Sequence, residues 1–263
     1  MKKIVCAAVL PLLLAGAGSA TAEDLDLRLA GSLGFGYSDG NYGTAKDTDV
    51  QLGLPTLSAK TNDFQFNVSM PYMRISGRGL VVFDAAGNPI VINRRTSLPA
   101  DVRTGFGDLN LSATYAVPPV VLDDFEVKLT GRVKIPTASA RRRLSTGKAD
   151  FGMSIDVARA YGRWEPFVTV GYLLSGQPAD FSLKNTLSIS TGTSFELTDS
   201  LIAIASYDYD SASSPLVSSS QEMFGSLSWI ANDKITLTGY ATGGLSYGSP
   251  DIGAGLIVTY GFN

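Results

Sequence analysis

Residues 125–136, with the sequence FEVKLTGRVKIP, decide the fold class. Apolar residues and Gly131 fill alternate positions, and charged residues or Thr130 fill the positions between them. Because successive side chains of a β-strand point to opposite faces, this segment has one apolar and one polar face. The C-terminal segment 251–262, DIGAGLIVTYGF, repeats the pattern with Ile257 as an exception. Alternation over this length predicts long β-strands rather than helices.

The same alternation predicts about twelve strands along the chain. We place them at roughly 27–37, 48–58, 63–74, 104–117, 124–136, 149–161, 163–175, 182–197, 200–210, 219–231, 233–245 and 250–262. Short connections alternate with longer ones, so tight turns would lie at one rim and long loops at the other. This layout predicts an all-β protein, a transmembrane antiparallel up-and-down β-barrel of the outer-membrane type.

A soluble β-sandwich is the alternative fold, because it also contains alternating strands. Its strands are typically about 5 to 6 residues long, whereas a tilted membrane strand needs about 9 to 11. The polar face here is dominated by Ser, Thr, Gly and Asn, and aromatic residues such as Trp164 and Tyr172 lie near predicted strand ends. Aromatic girdles are typical of barrels in a bilayer. The penultimate Phe262 resembles the C-terminal signal recognised by the barrel assembly machinery, although Asn263 follows it.

The N-terminus has the layout of a secretory signal peptide. Lys2 and Lys3 precede an uncharged apolar run that ends in the small residues Ala20-Thr21-Ala22. We therefore predict a signal peptide at 1–22 and a barrel at 23–263, which locates the protein in the outer membrane of a Gram-negative bacterium after cleavage. An N-terminal membrane anchor is the alternative, but its apolar core would be short for a transmembrane helix.

The composition excludes several classes of protein. The 263 residues include no histidine and one cysteine, so they cannot form a Ser-His-Asp or Cys-His catalytic site or an intrachain disulfide. A net charge of −3 without a basic stripe argues against nucleic-acid binding. Asp208 and Asp210 share one strand face and are candidates for acid-base chemistry, but an acidic patch near a loop is the favoured interpretation. We expect no enzymatic activity, cofactor or metal.

Three motifs together resemble a known family. They are GFGDL at 105–109, KIPT at 134–137 leading to STGKAD at 145–150, and GY at 171–172 followed by SG at 175–176. Their order and spacing resemble the meta-pathway phenol-degradation family of porin-like outer-membrane barrels, often encoded near genes for aromatic-compound breakdown. The resemblance covers about residues 48–263 apart from 75–103. It implies a barrel that passes small or hydrophobic compounds.

Strand parity assigns a set of charged residues to the lumen. The pore-lining candidates are Asp108, Glu126, Lys128, Arg132, Lys134, Asp150, Glu165, Asp208 and Asp210. Two hypotheses stay open for Asp108 and Asp150: they pair with Arg132, Lys134 or Lys148 and fix the loop bases, or they line the pore mouth. Loop anchoring is favoured. A ring of one sign would predict ion selectivity, whereas charges of mixed sign can equally neutralise one another and fill a narrow interior, so both an open and a plugged lumen remain.

Two loops add further predictions. Residues 78–103 predict an extra hairpin that turns at Gly87-Asn88 and either extends the wall or constricts the pore. Arg141–Arg143 either contact lipopolysaccharide phosphates or form a solvated loop. The sequence as a whole predicts a passive outer-membrane channel for small, hydrophobic or aromatic molecules. A non-conducting barrel with a structural or surface-interaction role is the alternative.

Overall fold

A computed structural model of the protein describes residues 26–42, 47–77, 80–83, 89–93, 101–118, 124–179 and 181–262. Its strands are β1 (Arg28–Gly40), β2 (Thr48–Lys60), β3 (Phe64–Ser69), β4 (Tyr72–Gly77), β5 (Leu80–Phe83), β6 (Pro89–Asn93), β7 (Asp101–Phe106), β8 (Leu109–Val117), β9 (Glu126–Ile135), β10 (Asp150–Ala158), β11 (Trp164–Leu174), β12 (Thr186–Thr198), β13 (Leu201–Asp210), β14 (Ser220–Ile230), β15 (Ile235–Gly244) and β16 (Ile252–Gly261).

The strands close into an antiparallel barrel. β3 and β4 follow one another along β2, and β7 and β8 form the next wall strand, so the wall contains twelve strands. β1 pairs with both β2 and β16, which closes the sheet on itself. The predicted number and order of strands are confirmed. The predicted signal peptide at 1–22 lies outside the described residues.

A β-bulge at Gly107 and Asp108 was not predicted. Ser69 of β3 pairs with Asn110, and Tyr72 of β4 pairs with Phe106. Two residues lie between Ser69 and Tyr72, whereas three lie between Phe106 and Asn110. The additional residue on the second strand forms a β-bulge. A Cβ on Gly107 would lie 2.7 Å from the Pro71 ring, so the close approach of the two strands requires glycine. The bulge turns Asp108 toward the lumen, where it is buried.

The two faces of the wall differ in chemistry. In β11, exposed and buried residues alternate without exception: Trp164 and Tyr172 are exposed, whereas Glu165 and Thr169 are buried. Large exposed apolar side chains recur on the outer face of most other wall strands, and buried Ser and Thr recur on the inner face. A continuous apolar outer surface of this kind is suited to lipid rather than water.

The connections include little regular structure. β5 and β6 pair as the predicted hairpin, and its turn at Gly87-Asn88 lies outside the described residues. A 3-10 turn, Ala140–Arg142, follows β9. In the part of the chain that the structure describes, no helix is long and apolar enough to cross a membrane.

Candidate solute path through the lumen

Eight of the nine predicted lumen residues fall into three groups, and the ninth, Arg132, lies on β9 between Lys128 and Lys134. Of the nine, eight lie at inward-facing positions of their strands, and Asp108 lies in the bulge between β7 and β8. Asp108, Lys128, Lys134, Asp150 and Glu165 are buried and the other four are partly buried. We call the end of the barrel that carries the connection 136–149 the loop rim, and the opposite end the turn rim. One group surrounds Lys134 at the loop rim, a second lies at the turn rim, and a third lies on β13.

The first group, which we call the Lys134 cluster, consists of Asp108, Lys134, Ser145, Thr146 and Asp150. Lys134 Nζ lies 2.5 Å from an Asp150 carboxylate oxygen and 3.7 Å from one of Asp108, and it donates to Thr146 Oγ1 at 3.3 Å. Ser145 Oγ donates to Asp108 at 2.5 Å. Lys134 is 1% exposed and Asp150 is 0% exposed, so the charges neutralise one another away from water.

The Lys134 cluster also fixes the backbone of two loops. The backbone N–H of Ala138 donates to the Asp108 carboxylate at 3.0 Å. The N–H of Gly176, in the next loop at this rim, donates to the Asp150 carboxylate at 2.9 Å. These contacts are those that the loop-anchoring hypothesis predicts. Sequence reasoning named the motif that contains Ser145 and Thr146 but gave these hydroxyls no role.

The loop 136–149 folds onto the inner face of the wall. Leu144 is buried and packs with Tyr42, Val50, Met73 and Ile75; we call these five residues the mouth cluster. Tyr42 comes from the β1–β2 connection, and Val217 of the β13–β14 connection packs against the same cluster. Burial raises the pKa of Tyr42, so this hydroxyl stays neutral, and it forms a 2.7 Å hydrogen bond with Ser38 Oγ. Three loops therefore meet and narrow the mouth.

The second group lies at the turn rim. Lys128 Nζ lies 2.8 Å from a Glu126 oxygen, and Glu165 accepts a hydrogen bond from Ser194 Oγ at 3.3 Å. The charge of Lys60 interacts with both Glu126 and Lys128. The sequence prediction placed Lys60 in a turn, but it is the last residue of β2 and lies opposite Arg28 of β1. Because Lys60 lies two residues after the inward-facing Ser58, the alternation of β2 identifies Lys60 as a lumen residue.

The third group, which we call the acid group, consists of Asp208, Asp210 and Glu222. Asp208 and Glu222 are register partners on β13 and β14, so their carboxylates are neighbours on the inner face. Asp208 accepts hydrogen bonds from Ser190 Oγ and, at 3.0 Å, from Ser206 Oγ, and Glu222 accepts one from Ser220 Oγ at 2.9 Å. All three carboxylates remain partly exposed to the lumen.

An apolar strip runs along part of the inner wall. Phe167, Leu173 and Ile202 are buried, and Ile204 packs against Phe167. The rings of Phe224 and Tyr240 are nearly parallel, with centroids 6.1 Å apart. The Tyr240 ring lies so close to β16 that a Cβ on Gly255 would be 2.5 Å from it, so this position requires glycine.

Solved structures of outer-membrane channels share this fold. An outer-membrane channel from Pseudomonas putida F1 has a TM-score of 0.67 at 13% identity, covering 94% of this chain and 99% of that chain. The NanC porin has a TM-score of 0.55 at 11% identity, covering 89% of this chain and 99% of its own. The KdgM porin has a TM-score of 0.52 at 8% identity, covering 88% of this chain and 99% of its own.

These likenesses establish the fold. No family model and no curated protein sequence matches the chain. The porin-like barrel implied by the sequence motifs is confirmed, whereas membership of the meta-pathway phenol-degradation family stays a prediction.

Proposed function

We propose that the protein is a passive outer-membrane channel for small molecules. The observation that carries this proposal is the closed twelve-strand wall, with an apolar outer face and an inner face of hydroxyl and charged groups. Hydroxyl groups along the lumen replace part of the water shell of a polar solute, so the solute crosses without a large desolvation cost. Transport of this kind runs down a concentration gradient and needs no catalytic residue.

The apolar strip supports a finer proposal about the solute. Phe224, Tyr240 and Ile204 give the lumen a surface on which an aromatic ring or hydrocarbon chain can pack. The hydroxyls beside the strip serve the polar part of the same molecule. We therefore propose that solutes with an apolar or aromatic part are among those that pass.

The proposed location follows from the outer surface. Exposed aromatic residues such as Trp164, Tyr172 and Trp229 suit the interfaces of a bilayer. Insertion would follow signal-peptide cleavage after residue 22 and delivery to the barrel assembly machinery. Outer-membrane lipid and lipopolysaccharide would then surround the barrel.

Single-channel recording in a planar bilayer tests the proposal. Protein refolded in detergent is expected to give steady conductance steps. Heat-modifiable migration on a gel is the control that the barrel is folded before it is added. Correctly folded protein that stays silent would contradict the channel and favour the non-conducting alternative.

The mouth cluster is the observation that favours that alternative. Tyr42, Leu144 and Val217 come from three different connections and meet at one end of the lumen. A barrel closed at this point would serve a structural or surface role. Recording from the Leu144→Ala variant separates the two functions, because a channel closed only by this contact would conduct once the contact is weakened.

A further inference from the structure

The basic side chains of the inner wall are confined to one part of its circumference. Strands β10–β16 contain no lysine or arginine. Asp150 and Asp156 lie on β10, beside the basic strand β9, and the inner face of the remaining strands carries five more carboxylates: Glu165, Glu196, Asp208, Asp210 and Glu222. The basic side chains of the inner wall belong to β1–β9: Arg28, Lys60, Arg103, Lys128, Arg132 and Lys134. The basic side chains of the wall strands are thus confined to β1–β9, where Lys128 pairs with Glu126 and Lys134 pairs with Asp108, whereas the inward carboxylates of β11–β14 have no basic side chain on their own strands.

At the loop rim the two signs face each other across the lumen. Arg103 lies on the wall strand β7–β8, and Glu222 lies on β14, six strands away in a ring of twelve. Six steps in a closed ring of twelve strands is the diametrically opposite position. Arg132 of β9, which is partly exposed, lies four strands from Asp208 of β13, whereas Lys134 is neutralised within the Lys134 cluster. Basic and acidic side chains thus lie on opposite sides of the channel near its mouth.

The loop 136–149 adds an arginine run to the basic side. Leu144 packs on the inner face of the wall, and Arg103 Nη1 donates to the Arg143 carbonyl at 2.9 Å. A Cβ on the inward-facing Gly105 would lie 4.0 Å from Arg142 Nη1, so this guanidinium lies over the lumenal face of β7. Arg141, Arg142 and Arg143 are exposed. Because the buried side of the loop faces the wall, we place this run toward the lumen.

The acid group forms the opposite side. Asp208 and Glu222 are held by serine hydroxyls, and both remain partly exposed. Opposite charges across a narrow lumen with low-dielectric walls produce a transverse field, which water and salt screen less than at an open surface. Such a field favours a solute that carries both a positive and a negative group, because the positive group can turn toward the carboxylates of the wall and the negative group toward its arginines.

We propose that the loop rim selects small zwitterions, molecules with an ammonium group and a carboxylate or sulfonate, over neutral molecules of the same size. This inference rests on the proposed channel function and names a solute class for it. Glycine and glycolamide are the probes, since they contain the same atoms and differ in charge distribution. In swelling of liposomes that contain the folded full-length barrel, glycine is expected to enter about two to three times faster.

Two sets of variants test the two sides separately. Asp208→Asn, Asp210→Asn and Glu222→Gln together neutralise the acid group, and Arg141→Gln, Arg142→Gln and Arg143→Gln neutralise the arginine run. Each set is expected to bring the glycine-to-glycolamide ratio close to one. In a KCl gradient the first set should shift the reversal potential toward anion selectivity and the second toward cation selectivity. Lys234→Gln, at the turn rim, is the matched control and should change neither quantity.

The outcomes separate this inference from the channel itself. Absence of any conductance from folded protein overturns the proposed function. Steady pores with equal entry of glycine and glycolamide overturn the zwitterion selection and leave the channel in place. A ratio that survives both sets of substitutions also overturns it. Added salt should reduce the ratio, because it screens exposed charges.

Discussion

The Lys134 cluster and the acid group show how differently inward charges behave in the same lumen. Both lie near the loop rim, both alternate with apolar outward residues, and both are surrounded by hydroxyls. Lys134 and Asp150 are almost completely buried and ion-paired. Among the described residues, Asp208 and Glu222 accept hydrogen bonds from serines, form no ion pair and stay partly exposed. The charges of the first group are satisfied within the wall, whereas the carboxylates of Asp208 and Glu222 stay in contact with the lumen.

The difference follows from the cost of removing charge from water. A buried ion is tolerated when opposite charges and hydrogen bonds satisfy it, and removal of one partner leaves the others uncompensated. A partly exposed carboxylate keeps water as a partner, so its neutralisation changes the potential of the lumen more than the stability of the barrel. Substitutions in the two groups are therefore expected to produce opposite kinds of effect.

The largest effect is expected from Lys134→Met. This change leaves the buried carboxylates of Asp108 and Asp150 without their cation, and breaking such a buried pair typically costs about 3 to 5 kcal/mol. The free energy of unfolding, measured in urea from tryptophan fluorescence in detergent, should fall by that amount. The change should also release the loop 136–149, since Asp108 holds Ser145 and the backbone of Ala138.

A matched lysine provides the control. Lys128 pairs with Glu126, which is partly exposed, so Lys128→Met should cost clearly less. Addition of Asp108→Asn and Asp150→Asn to Lys134→Met should recover part of the lost stability, because it removes the uncompensated charge. If Lys134→Met unfolded at the same urea concentration as the unchanged protein, the Lys134 cluster would have no structural role.

A smaller effect is expected from Leu144→Ala. The substitution leaves a cavity between the loop and the inner face at Met73 and Ile75, and changes of this kind cost about 2 to 5 kcal/mol in a rigid core. We expect a value near the lower end, because a loop can settle onto the wall. Single-channel conductance should rise as the mouth cluster loosens. Conductance equal to that of the unchanged protein would show that this cluster does not limit the flow of ions.

The twelve strands were predictable from sequence for a physical reason. Lipid on one side and a polar lumen on the other impose alternation on nearly every wall strand, so a segment such as 125–136 carries the full signal locally. The bulge at Gly107 and Asp108 left no comparable signal, because each half of the strand still alternates and only the parity between the halves changes. Lys60 was missed because a strand end and a turn have similar composition.

The inward fold of the loop 136–149 could not be predicted from local sequence. Leu144 stands as a single apolar residue between Arg143 and Ser145 and has no periodicity. Its burial depends on Met73 and Ile75, which lie far away in the chain and meet it only after the barrel closes. The parity rule placed Asp108, Lys134 and Asp150 on the correct face, but the rule did not distinguish buried pairs from exposed charges.

The smallest effect on stability is expected from Asp208→Asn combined with Glu222→Gln. Both substitutions keep the shape of the side chain. In Asp208→Asn one of the two serine hydroxyls still donates to the amide oxygen, and the other can turn to accept from the amide nitrogen. Both sites remain partly exposed, so the free energy of unfolding should change by less than about 0.5 kcal/mol. The reversal potential in a KCl gradient should nevertheless move toward anion selectivity, because two negative charges leave the lumen. This combination of unchanged stability and altered selectivity is the reverse of that expected for Lys134→Met. If the double variant instead lost as much stability as Lys134→Met, the carboxylates of the acid group would also be structural, and exposure would not be a guide to the role of inward charges.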